Sequence, residues 1–99
     1  MTDQELLELA AKAASIKKEE GSGLYMDCFR HFWNPLINDG DAFQLAVKLK
    51  MIIDPYFGAV AFPPSMVCVI VNEGDIYAAT RKAIVQIAAE LGKERNETT

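Results

Sequence analysis

Phe32-Trp33-Asn34-Pro35-Leu36-Ile37-Asn38-Asp39-Gly40-Asp41, running on into Ala42–Lys50, holds the chain's only tryptophan, a helix stop and a helix start. Asn34-Pro35 is a turn signal. The proline ring fixes its own φ and pushes Asn34 out of the α region, so whatever runs through Phe29–Trp33 ends here. Asp39-Gly40-Asp41 then opens a helix. A carboxylate at the N-cap accepts an orphan backbone N–H and suits the positive end of the helix dipole. Asp39 is the expected cap, with Asp41 in the first turn. Ala42, Phe43, Leu45, Ala46 and Leu49 repeat at helical spacing and leave Gln44, Lys48 and Lys50 for solvent, a helix over Gly40–Leu49. Trp33 and Phe43 are expected to meet and pin this connection to the core, since each large aromatic buries about 150–250 Å².

Working outward, the 99 residues make one domain, and with 51% apolar residues the chain can build a core without staples. Ten basic against 14 acidic residues give a net charge of −4. The surplus is shared between the two halves, so the basic stripe of a general duplex-DNA binder is missing. The two cysteines, Cys28 and Cys68, fall in apolar strand-like runs and read as free buried thiols of a reducing cytoplasm. No basic-then-apolar leader opens the sequence, and no apolar run nears the ~18 residues of a membrane span.

Before the opening stretch, Thr2 and Glu5 have capping-box spacing. Leu6, Leu9, Ala10 and Ala13 then line one face of a first helix ending near Ser15–Lys17. Lys17–Gly23 reads as a polar loop and Leu24–Phe29 as a first strand. After it, Met51–Asp54, Ala59–Phe62 and Val67–Val71 are short apolar runs separated by proline-bearing turns, the pattern of an antiparallel meander. The uniformly apolar Val67–Val71 is expected at or near the sheet centre. Asp75 caps a third helix, Ile76–Leu91, with Gly92 as its left-handed stop and Glu94–Thr99 as a disordered polar tail. Ile76, Thr80, Ala83, Ile84, Ile87, Ala88 and Leu91 share its buried arc. The expected fold is α+β, in the order α-β-α-β-β-β-α. A small, largely antiparallel four-stranded sheet carries helices packed on it, as an α/β/α sandwich or, failing that, a two-layer α/β arrangement.

Three further segments carry a resemblance. They are Asp3–Ala14; Trp33-Asn34-Pro35-Leu36 with Asn38-Asp39-Gly40-Asp41-Ala42 and Leu45–Leu49; and Tyr77–Val85 with Ala88–Gly92. Together, and in this order, they resemble the small phage and prophage proteins of the phage ABA sandwich domain family. The resemblance implies an α-β-α layered domain encoded by tailed phages or prophages. It implies no reaction and no functional residue.

Chemistry is sparse. On a strand, Cys28 and His31 point to opposite faces, which spoils shared capture of a zinc ion. Asn38–Asp41 lacks the spaced carboxylates and closing Glu of a calcium loop, and helix capping explains it. A Cys–His nucleophile pair would need an activated thiolate, and buried thiols are inert. No phosphate-cradling glycine loop follows a strand. The expectation is therefore a non-enzymatic phage or prophage accessory protein of the bacterial cytoplasm, without cofactor or metal. It acts through protein partners, including self-association as a homodimer through a strand edge such as Ala59–Phe62. The alternative is a small-ligand or nucleic-acid-binding module using the Trp33–Asp41 loop. Arg30, His31, Trp33, Asn34, Asp39 and Asp41 form the candidate interaction surface.

Overall fold

A computed structural model of the protein describes residues 2–18, 25–26, 32–54, 58–62, 66–69 and 75–97. Helix α1 (Asp3–Ala14) begins where expected: the Thr2 hydroxyl oxygen accepts the Glu5 N–H at 3.2 Å and the hydroxyl meets the Glu5 carboxylate. It ends on Ser15 in the left-handed region, φ 59°. The Ser15 N–H bonds to the Lys12 carbonyl and the Ile16 N–H reaches back to Ala11, satisfying carbonyls the helix leaves open. Helix α2 (Asp39–Lys48) closes the same way. Lys50, φ 59°, donates to Val47, and Met51 donates to Ala46.

The start of α2 differs from expectation by one residue. Asn38, not Asp39, is the cap: its side-chain oxygen accepts the Asp41 N–H at 2.9 Å. Asn and Asp cap about equally well. The Asn34–Asn38 turn puts Asn38 in extended geometry at the helix mouth and leaves Asp39 in the first turn, pointing out.

The expected single four-stranded sheet is not formed. The described strands make two separate antiparallel sheets. Lys17–Lys18 (β1) pairs with Tyr25–Met26 (β2), while Ile52–Asp54 (β3), Ala59–Phe62 (β4) and Met66–Val69 (β5) form a meander in the order β3-β4-β5. The physical reason is local. A short connection pairs β2 with the chain just before it, where a polar loop was expected. The turn and α2 then separate that hairpin from the meander. Nor is Val67–Val71 central. The middle strand is β4, whose Val60 is fully buried, and β5 is at one side; Ile70 and Val71 lie outside the described residues. Since β4 is paired on both sides, Ala59–Phe62 offers no edge for a second copy. The chain is still α+β, but the layering is not as expected: this is a helix-rich fold with two small antiparallel sheets, not an α/β/α sandwich.

Its centre is helix α3 (Ile76–Glu97). Asp75 caps it, accepting the Tyr77 N–H at 2.9 Å. Ala83, Ile84, Val85, Ile87, Ala88 and Ala89 are all buried, so the apolar surface runs well beyond one stripe. A helix apolar nearly all round must be covered on several sides, and α1, α2, β4 and β5 all pack on α3. Helix α1 lays Leu6, Ala10, Ala11 and Ala14 into this core, and its main partner is α3 rather than a sheet. The expected stop at Gly92 is also corrected: the helix continues through it to Glu97, where a tail was expected from Glu94. Gly92 is there for closeness. A Cβ at this position would lie 1.9 Å from the Leu9 carbonyl oxygen.

A candidate docking groove between two helices

Asn34, Pro35 and Asp41 turn the chain into a closed unit before α2. The Asn34 side-chain oxygen accepts the Leu36 N–H at 3.0 Å, and its carbonyl accepts the N–H groups of Ile37 and Asn38. The buried Asp41 carboxylate accepts the Asn34 N–H at 2.9 Å across seven residues. Pro35 is fully buried, and Trp33, 5% exposed, belongs to the core. Arg81 of α3 fastens the unit from outside. Its Nε donates to the Leu36 carbonyl at 2.9 Å and its guanidinium meets Asp39 Oδ1 at 2.5 Å.

The candidate residues thus fall into distinct positions. Trp33, Asn34 and Asp41 shape the turn, and the Trp33 ring is no surface for stacking bases. The two carboxylates diverge, Asp41 inward to Asn34 and Asp39 outward to Arg81. Arg30 and His31 lie outside the described residues, as does Cys28. Among the described residues no three of His, Cys, Asp and Glu gather as a metal would require, and no helix is long and apolar enough to cross a membrane.

What the opening stretch does border is an apolar groove of about 400 Å³ between α2 and α3. Ala42 and Phe43 line it from α2, Ile53 from β3, and Ile76, Tyr77 and Ile84 from α3. Asp39 and Arg81 sit at its polar end, and Thr80 shares the α3 wall with its hydroxyl donating to the Ile76 carbonyl at 2.8 Å. Phe43 and Tyr77 are 64% and 68% exposed, and Ile76 is also exposed. Phe43 therefore lies at the rim and not in the core, where its helical spacing put it. Helix α2 turns Ala42, Leu45 and Ala46 inward, which rolls Phe43 to the rim. Periodicity placed Phe43 and Ile76 in the core because a helical wheel does not show how far round the cover extends. Tyr77 and Arg81 stood in the sequence at the mouth of the longest amphipathic helix, but nothing local tied them to residue 39.

Compared with known proteins, the chain matches no family model, no curated protein and no solved structure.

Proposed function

We propose that the chain is a non-enzymatic accessory protein that works by docking another protein in the α2–α3 groove. The observation carrying this reading is the set of large apolar side chains, Phe43, Ile76 and Tyr77, left in water around one hollow. Such a contiguous exposed apolar patch costs solubility unless a partner covers it. Among the described residues the groove holds one ion pair, Arg81 with Asp39, whose groups are already engaged with each other and with Leu36. That arrangement suits recognition better than proton transfer or nucleophilic attack. A phage or prophage origin, and with it the cytoplasm of a bacterial host or lysogen, rests on the resemblance of the Trp33–Ala42 and Tyr77–Gly92 segments to the phage ABA sandwich family. The loop-centred ligand or nucleic-acid reading would have to work without the Trp33 ring, which is buried.

Site-specific photocrosslinking tests the docking reading. A photoreactive residue replaces Phe43, Tyr77 or, as the control, exposed Lys82 on another side of α3. In the producing cell, protein adducts are expected from positions 43 and 77 and not from 82. Equal adducts from 82, or none from either groove position, would overturn the reading.

A further inference from the structure

The groove carries a projection beside its own hollow. Phe43 lines the hollow from α2, yet its side chain stands 64% exposed on the rim, and Tyr77 stands 68% exposed on the α3 wall. Val47, one turn on from Phe43, is 59% exposed, and Ile76 at the start of α3 is 38% exposed. A large aromatic side chain presents about 200 Å² and an aliphatic one about 100 Å². At their exposures these four leave roughly 350 Å² of apolar surface in water. A standard interface covers about 800 Å² on each partner, of which about 450 Å² is apolar. The patch thus supplies most of the apolar area that one side of a globular interface needs.

The charges fit a partner of the same kind. The lining residues hold one carboxylate, Asp39, and one guanidinium, Arg81, and the two are bound to each other. A partner charged with one sign gains no free counter-charge here, whereas two copies meet at this lining without facing like charges. The net charge of −4 on each copy opposes approach only at a distance, where salt screens it. A two-fold axis lays one patch on itself, so the patch has to complement its own shape. A ring on the rim with a hollow next to it meets that demand, and Tyr77 offers an entering ring an aromatic neighbour.

We infer that the groove is a homodimer interface. A second copy of this chain docks on it about a two-fold axis, with the Phe43 ring of each copy seated between α2 and α3 of the other. The inference rests on the docking reading above and names the docked protein.

Sedimentation velocity of the full chain from about 1 μM to about 1 mM is expected to show monomer passing to dimer and nothing larger, because a two-fold contact closes on itself. Raising sodium chloride from about 0.05 M to about 0.5 M should leave the dimer as tight or tighter. An excess of a small apolar probe, an anilinonaphthalene sulfonate, should compete for the hollow and shift the equilibrium towards monomer. Phe43→Ala should raise the dissociation constant about a hundredfold, since the change falls twice in the dimer and each is worth about tenfold. Phe43→Glu should leave only monomer, and Lys82→Glu, off the groove, should leave the dimer as it was. Both side chains stand in water, so the circular dichroism of each variant should remain that of the parent chain. With a photoreactive residue at position 43, the purified protein should give an adduct of twice its mass, joined to α2 or the first turn of α3 in the second copy. A monomer up to about 1 mM, a dimer indifferent to Phe43→Glu, or an adduct joined to α1 would overturn the inference. If the purified chain is monomeric while positions 43 and 77 crosslink to a different protein in the producing cell, this inference alone falls and the docking reading stands.

Discussion

Arg81 of α3 holds both the turn before α2 and the first residue of α2 through two different bonds. Its Nε–H serves the Leu36 carbonyl, a group the turn leaves open, and its guanidinium pairs with Asp39. The two are unequal. Asp39 is mostly in water, where an ion pair contributes up to about 1 kcal/mol. The carbonyl is partly buried and loses a charge-assisted bond outright. Arg81→Ala should therefore cost about 1–3 kcal/mol in urea unfolding, and Asp39→Ala clearly less. Arg81→Lys should not restore the loss, because an ammonium cannot reproduce the fork that reaches both groups. Asp41→Ala strands the Asn34 N–H and is expected to destabilise by about 1–3 kcal/mol. The opposite sign is expected at Lys50, whose φ of 59° strains a side-chain-bearing residue. Lys50→Gly should raise the unfolding midpoint by an amount equivalent to about 0.5–1 kcal/mol. At this scale the sequence was informative about function of residue types but not about direction. The Asn and Asp residues do shape the chain, yet only the turn's full bonding reveals that Asn38 caps and Asp39 points outward.

Among the elements, α1 and α3 approach closely because their shared face is small: Ala10, Ala11 and Ala14 on one, Ala88 and Gly92 on the other. Interaxial distance follows the size of the side chains at the contact. Gly92→Ala decides between propensity and packing. Alanine would gain about 1 kcal/mol in an exposed helix interior. Here the added methyl meets the Leu9 backbone, which cannot swing aside, so a net loss of about 1–3 kcal/mol is expected. Lys93→Ala, one residue along on the exposed side, should change stability by under about 0.5 kcal/mol. A net gain from Gly92→Ala would mean the two helices are not in contact there. Helix existence was legible from periodicity and capping, and the Thr2 and Asp75 starts were readable in full. The end of α3 was not, because glycine serves equally as a left-handed stop and as a close-contact residue, and the sequence does not distinguish them.

For the molecule as a whole, the apolar runs Met51–Asp54 and Ala59–Phe62 did reveal a meander, since short proline-bearing connections leave little choice but antiparallel neighbours. Which layer lay at the centre was not legible. A helix buried on several sides and a helix with one broad apolar stripe differ by a few alanines, and alanine is read as neutral. Burial of Val85 and Ala89 alongside the expected Ala83, Ile84, Ile87 and Ala88 makes α3 the core on which α1, α2 and the three-stranded sheet converge. The groove follows from that geometry. Helix α2 covers α3 with its alanine-rich face and leaves Phe43 and the first turn of α3 outside. The most direct measurement is a map of backbone amide shifts of the ¹⁵N-labelled chain titrated with a small apolar probe, an anilinonaphthalene sulfonate, which seeks exposed apolar hollows. The account expects saturable shifts concentrated at Asp39, Ala42, Phe43, Tyr77, Thr80 and Arg81, with Gln4, Glu8 and Lys12 on the outer face of α1 unmoved. Shifts centred on α1, or spread without saturation over the whole chain, would contradict it.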